Sequence, residues 1–455
     1  MGENAPLKRI ISTCPDLPIG KNINPYPGRT LRTWHIQVIT PMYGGGVEPG
    51  RPDSITPVRG TTVRGHLRFW WRATRGSRFQ SVAELRAREN DIWGSTKTGS
   101  PVGVSVKVTK KGTLQPCATY SHGSKEPRFR DGLPRYALFP FKGKYNGDPP
   151  PANDVTGLEF DLTITYPEGL QKDVEAALWG WVNFGGIGAR TRRGCGALYC
   201  AEYAPESANA LDTWIANAQK SFEFRVTGES AGWPVIGKTL LVNDNAERDG
   251  WESAVGLLQE FRQGKDVGRD EGSDRLNPRK LGRTRWPEPE SVRDLVMRQR
   301  EMDDAPAFHP EDARIPSGFF PRAEFGLPII IEIRDEHVGG GINLKPTLQY
   351  SASQDRLASP LILRPMRFAG NQSGIFVLAL STPPLTSAYL APGKADLVEG
   401  VTIPEDKICS KELLTYESSP LGLAFDYRPP NDAKGSAVES FVAFAKRRGY
   451  REVKI

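Results

Sequence analysis

A chain of 455 residues exceeds the size at which one hydrophobic core stops growing, so two domains are expected. Its 47 glycines and 38 prolines, with no run of about 18 apolar residues, exclude a membrane-spanning helix and point to a folded protein with long ordered loops. Lysine plus arginine outnumber acids by 60 to 53, a net charge of +7 that favours a polyanionic partner. The five scattered cysteines (Cys14, Cys117, Cys195, Cys200, Cys409), without C-x-x-C spacing, indicate neither disulfides nor a zinc site.

The opening MGENAPLKRIISTCPDLPIG lacks the apolar core of a signal peptide, so a soluble, cytoplasmic protein is expected, with no membrane partner. Residues 1–29 read as an N-terminal extension. Thr33 to Thr40 (TWHIQVIT) predicts a strand, Pro41 to Gly60 a Gly/Pro loop, Thr61 to Arg75 a helix and Ser81 to Trp93 a second helix. VGVSVKV (Val102 to Val108) predicts another strand, followed by a polar, proline-rich excursion to about residue 155. In LEFDLTITY, Leu158, Phe160, Leu162, Ile164 and Tyr166 recur at period two, as a half-buried strand requires. Leu170 to Phe184 predicts a helix, and GCGALYCAEY returns to strand. The order β-α-β-β-α-β is the ferredoxin-like split βαβ, shared with RNA-recognition modules.

Beyond a polar link at residues 205–220 the pattern weakens. Strands are predicted at Phe222 to Val226, Leu327 to Ile333, Leu361 to Met366 and Ile375 to Leu380, and helices at Trp251 to Arg262 and Ala437 to Arg448. Residues 262–315 read as an inserted excursion, helical at Ser291 to Arg300. There is no internal sequence repeat.

The densest chemical signal is TPVRGTTVRGHLRFWWRATRG (Thr56 to Gly76), with Arg59, Arg64, Arg68, Arg72 and Arg75 and no acid. On a helix, Arg64, Arg68, Arg72 and Arg75 fall within an arc of about 80°, beside a packing face of Val63, Leu67, Trp70 and Trp71. Such a ridge repels itself, a penalty that a polyanion relieves, and guanidinium groups grip phosphate with two prongs. The plain alternative is a helix face paired with acids from elsewhere in the fold. A second signal is FGGIGARTRRGCG (Phe184 to Gly196): Gly185, Gly186 and Gly188 let backbone approach a phosphate chain, and Arg190, Arg192 and Arg193 add counter-charge. A tight helix-to-strand turn is the alternative.

GWPVIGKT (Gly232 to Thr239) matches the phosphate-loop pattern, yet bulky, β-branched and proline residues fill the positions whose amides must wrap an anion, so no nucleotide cofactor is expected. Of five histidines (His35, His66, His122, His309, His337), His66 alone lies in the arginine helix. It is therefore the candidate base if the chain were a metal-independent endoribonuclease, the second functional reading. No metal or other catalytic signature occurs.

The ordered motifs TPMYGGG, VRGTTVRGHLRFWWRATRG, IWGSTKTGSPVGVSV and FGGIGARTRRGCG, then FGLPI and RLASPLILR, resemble the RAMP superfamily, and within it the first-numbered subunits of type III-B CRISPR Cmr effectors. The resemblance is strong over residues 30–200 and moderate over 320–385. It implies an α+β chain of two tandem ferredoxin-like (RRM-like) domains, 30–205 and 220–455, with long loops and the 262–315 insertion in the second. It further implies a non-catalytic, RNA-binding subunit of a ribonucleoprotein for antiviral defence. Its partners would be CRISPR guide RNA, target RNA and other Cmr RAMP subunits, near the 3′ end of the guide. Arg59, Arg64, His66, Arg68, Arg72 and Arg75, with Gly185, Gly186, Gly188, Arg190, Arg192 and Arg193, are the expected RNA-binding residues.

Overall fold

The computed structural model describes residues 28–48, 50–145, 147, 149–230, 232–243, 250–271, 282–299, 316–335, 342–393, 399–416 and 418–455. The first half runs through β1 (Arg29–Val38), α1 (Gly60–Ala73), α2 (Val82–Trp93), β2 (Gly103–Lys110), β3 (Glu159–Pro167), α3 (Gln171–Phe184) and a short β4 (Leu198–Tyr199). Its strands form one antiparallel sheet in the spatial order β2-β3-β1-β4. The period-two pattern fixes this sheet's faces. Phe160, Leu162, Ile164 and Tyr166 are buried, with Trp34, Ile36 and Val38 from β1, while Asp161, Thr163 and His35 point the other way.

The second half runs through α4 (Leu211–Phe222), β5 (Val235–Asn243), α5 (Gly250–Gln263), α6 (Glu288–Gln299), β6 (Leu361–Arg367), β7 (Ser373–Ser381), α7 (Ala437–Arg447) and β8 (Arg451–Glu452). Here the antiparallel sheet has the order β6-β7-β5-β8. First strand beside third, second strand on one edge and fourth on the other is the arrangement of the first sheet too.

The two sheets share one core. Helix α3 is buried on almost every side, because the first sheet covers one flank and the second sheet the other, where Phe184 meets Phe376 edge-on at 5.4 Å. Its Gly180 lets α1 approach: a Cβ there would come within 3.0 Å of Trp70. The second sheet is buried on both faces, Leu240, Val242, Phe376 and Leu378 toward α3, and Leu241, Leu363, Ile375 and Val377 toward α5 and α7. That explains why β7 reads as an unbroken apolar run and not as an alternation. A smaller sheet of Ile329–Ile330, Thr347–Gln349, Ser387–Ala391 and Val401–Pro404 packs with α6 around a separate cluster.

Several expectations need correction. Residues 205–220 are no mere link, since α4 buries Leu211, Ile215 and Ala218, and Phe222 ends that helix instead of starting a strand. Leu327 to Ile333 is not one strand: Ile329–Ile330 joins the smaller sheet and Ile333–Asp335 pairs elsewhere. GCGALYCAEY contributes only Leu198–Tyr199. The phosphate-loop match runs from Gly232 into β5, a central strand unforeseen from the sequence, where a Cβ on Gly237 would stand 2.3 Å from the Ala379 carbonyl. Part of the 262–315 excursion is built into the molecule through buried Trp286, Val292 and Val296; residues 272–281 and 300–315, like the extension at residues 1–27, lie outside the described residues.

Candidate nucleic-acid interface

The arginine helix forms as its spacing predicts, with Val63, Leu67, Trp70 and Trp71 buried and the arginines on the flank toward α2. The acids missing from its own sequence come from other elements. Glu89 of α2, its side chain 9% exposed, accepts from Arg68 Nε at 2.7 Å and from an Arg72 terminal nitrogen at 2.6 Å. Asp173 of α3 accepts from Arg75 Nε at 2.7 Å, from Arg88 at 3.1 Å and from Trp71 Nε1 at 2.8 Å. Arg75 also donates to the Phe222 carbonyl at 2.7 Å. The continuous guanidinium ridge is therefore not what folds. Arg72 and Arg75 join α1 to α2 and to α3, because two buried carboxylates require counter-charge where helices meet.

What remains open is one end of the row. Arg64 and Arg68 line a cleft of about 630 Å³ together with Arg86 of α2, and the far wall is the loop Gly94–Ser100. Arg64 donates to the Val102 carbonyl at 3.1 Å, and the Arg86 guanidinium makes no hydrogen bond or ion pair among the described residues. The loop is held in shape by Ser95, whose Oγ accepts from the amides of Lys97 and Thr98, each at 3.1 Å. Lys97 and Thr96 project from it into solvent. Three guanidinium groups thus face a hydroxyl-bearing loop, and the carboxylate beside them is shared between Arg68 and Arg72. Arg59 stands at the start of α1 and donates to the Gly45 carbonyl at 2.6 Å.

His66 does not face this cleft. Its ring stacks on Trp181 at 5.8 Å and 12°, and burial holds the imidazole down to about 4. The ring is thus packed on an indole, and burial leaves it weakly basic. His309 and His337 lie outside the described residues.

The glycine-rich loop is also used internally. Gly188 adopts φ +85° and a Cβ there would fall 2.4 Å from the Tyr43 carbonyl, while one on Gly194 (φ +80°) would meet Trp251 Nε1 at 2.6 Å. Gly185 and Gly186 are as tight, against Trp70 Nε1 at 2.5 Å and the Gly196 carbonyl at 2.9 Å. These glycines admit neighbouring protein, and the phosphate-cradle expectation is corrected accordingly. Arg193 donates to the Leu361 carbonyl at 2.8 Å and to Ser359 Oγ at 3.0 Å, and Arg192 donates to the Ser359 carbonyl. Burial, with Arg262 and Arg190 close by, pushes the Arg193 guanidinium down to about 9, and burial alone pushes Arg192 down to about 10. Of the three, Arg190 stays at the surface, its guanidinium without a hydrogen bond among the described residues.

The return contact is equally direct. Arg364 of β6, 1% exposed, donates to the carbonyls of Gly185 and Leu198, the latter at 2.6 Å, and reaches Val182 at 3.4 Å. The loop FGGIGARTRRGCG and the segment RLASPLILR therefore clasp one another, each offering arginines to the other's carbonyls. Arg86, Lys97 and the Gly94–Ser100 loop were not among the expected site residues. Helix α2 mixes Glu84, Arg86, Arg88, Glu89 and Asp91, and its sequence gives no hint which arginine remains unpaired.

Residues 35–199 match the family model of the RAMP superfamily. The Cmr subunit Cmr1-2 of Pyrococcus furiosus is 29% identical over 175 residues, covering 36% of this chain and 91% of the relative. Cmr1-1 of the same organism is 28% identical over 194 residues, 38% of this chain and 52% of that protein, so the match spans about half of its length. Over little more than a third of its length, the chain is thus similar to RAMP proteins of the Cmr-subunit kind. Among solved structures, apo Cmr1 from Pyrococcus furiosus aligns at 16% identity and a TM-score of 0.43, over 78% of this chain and 89% of that one. A chain of the type III-B Cmr-beta complex bound to cognate target RNA aligns at 11% identity and a TM-score of 0.43, over 77% and 94%. No helix among the described residues is long and apolar enough to cross a membrane.

Proposed function

We propose that this chain is a non-catalytic, RNA-binding subunit of a cytoplasmic type III-B Cmr effector, built from two tandem ferredoxin-like RAMP domains, residues 30–205 and 220–455. It holds guide or target RNA near the 3′ end of the guide, beside other RAMP subunits. The observation that carries the reading is the cleft where Arg64, Arg68 and Arg86 converge opposite the Gly94–Ser100 loop, with one shared carboxylate beside it. Three guanidinium groups gathered in a concave polar site, Arg86 without a partner among the described residues, fit phosphates of a single strand. The non-catalytic part is supported by His66, which lies against Trp181 and away from that cleft. The sequence similarity to Cmr subunits supports the assembly.

The test is Arg86→Glu, because that side chain supports nothing inside the protein. Binding to single-stranded RNA should weaken, and the slope of log affinity against log salt should become shallower by roughly 0.7 for each phosphate no longer neutralised. Wild-type affinity and slope in this variant would refute the site.

A further inference from the structure

A second cleft, of about 510 Å³, lies in the first half between the Gly/Pro loop after β1 and the proline-rich excursion, lined among others by Arg51, Tyr120, Lys144, Tyr145, Pro150 and Asn153. Tyr145 is a large ring left 39% exposed. It meets Tyr120 edge-on at 6.0 Å and 72°. Both rings are pinned at their hydroxyl ends: Tyr145 Oη accepts from the Gly123 amide at 2.8 Å, and Tyr120 Oη donates to the Gly143 carbonyl at 3.1 Å. Their faces are thereby fixed in direction at no further entropic cost, which suits a planar guest.

The polar groups around the rings select the guest's chemistry. The Lys144 ammonium and the Asn153 carboxamide make no hydrogen bond among the described residues, and Arg51 pairs only with exposed Glu48, at 2.7 Å. No described carboxylate lines the cleft. An aromatic platform, an amide able both to donate and to accept, and two cations are what a nucleotide needs for its base face, base edge and phosphate. An aromatic groove with proline walls also resembles a seat for a proline-rich peptide, but such a peptide has no use for the two cations.

We infer that this cleft holds a single unpaired nucleotide of the RNA, its base stacked on Tyr145 and its phosphate between Arg51 and Lys144. The inference rests on the RNA-binding reading above and adds a site that contacts a base, where the arginine cleft contacts only backbone. The loop that brings in Arg51 is the one whose Gly45 carbonyl receives Arg59 at the foot of α1.

The experiment compares the full chain with its Tyr145→Ala, Tyr145→Phe and Arg86→Glu variants, by fluorescence anisotropy. The probes are a short single-stranded RNA of mixed sequence and an oligomer of equal length without bases. Tyr145→Ala should weaken RNA binding by roughly fivefold or more, the loss expected for one stacked base. It should leave the baseless oligomer and the salt slope unchanged, while Tyr145→Phe binds as the wild type does. In parallel, RNA carrying 4-thiouridine should crosslink the wild-type protein in the peptide containing Tyr145, a readout that no variant's folding can disturb. The inference is overturned if Tyr145→Ala binds RNA normally, if it loses both probes equally, or if a proline-rich peptide displaces the crosslink. Should Arg86→Glu lose RNA while Tyr145→Ala does not, the nucleotide site falls and the RNA reading stands; a wild-type protein that binds neither probe ends both.

Discussion

Replacing Glu89 by glutamine separates the two roles that the arginines of α1 play. The carboxylate is buried and accepts at 2.7 Å from Arg68 and at 2.6 Å from Arg72, whose side chains are 33% and 31% exposed. A hydrogen bond to a charged group contributes about 1.5–3 kcal/mol, but water can solvate both released guanidinium groups, so the combined loss should be about 1–3 kcal/mol. At the same time the cleft of Arg64, Arg68 and Arg86 loses the negative charge that sits beside it. Arg68 is then free to meet a phosphate, which should steepen the salt slope of RNA binding by roughly 0.7 and raise affinity several-fold at low salt. Urea denaturation and an anisotropy titration over a salt series measure the two quantities on one preparation. Stability should fall as affinity rises. A variant that loses affinity with an unchanged slope would show that Glu89 orders the site instead of competing with RNA, and would refute the electrostatic reasoning.

Arg364→Met should lower the urea midpoint by the equivalent of about 3 kcal/mol or more, since the carbonyls of Gly185 and Leu198 lose a buried donor; Arg364→Lys should not rescue it, because an ammonium lacks the planar fork. A midpoint like the wild type's would mean that apolar packing alone holds the halves together. His66 makes acid pH destabilising. Its folded value near 4 lies below the ordinary 6.5, so between those values the unfolded chain takes up a proton that the folded one refuses. Stability should therefore fall by up to about 1.4 kcal/mol per pH unit as pH drops through that window, and His66→Gln should flatten that part of the profile.

The first half is legible where one face of an element is wet. The alternation of Leu158 to Tyr166 and the apolar stripe of α1 both record a boundary between core and solvent, and both elements fold as that boundary demands. Strand β5 carries no such record. It is buried on two sides, so its apolar residues do not alternate, and its Gly-Lys-Thr run looks like a loop. Helix α4 escapes notice for the opposite reason, since only Leu211, Ile215 and Ala218 of its residues are buried within a polar stretch. The equivalence of the two sheets cannot be seen at all without an internal repeat, because hydrogen-bond order is preserved where side chains are not.

The candidate site is half legible, and the failure has one cause. A row of arginines reports positive charge but not the sign of what lies opposite, and here the opposing acids arrive from other helices, Glu89 from the next one, α2, and Asp173 from α3. The glycine-rich loop is ambiguous in the same way: close backbone approach is needed equally by a phosphate chain and by Trp251 or Tyr43. This bears on how the interface can be tested. Reversing Arg68 and Arg72 to glutamate would crowd two new carboxylates around buried Glu89, and weaker RNA binding would then follow from a disturbed α1–α2 packing as readily as from phosphates left without a partner. Arg86 borders the same cleft and holds no acid, so its reversal changes the field that RNA meets and little else. A drop in affinity in that variant, with unfolding unchanged, is the result that charge facing outward predicts and charge facing inward cannot produce.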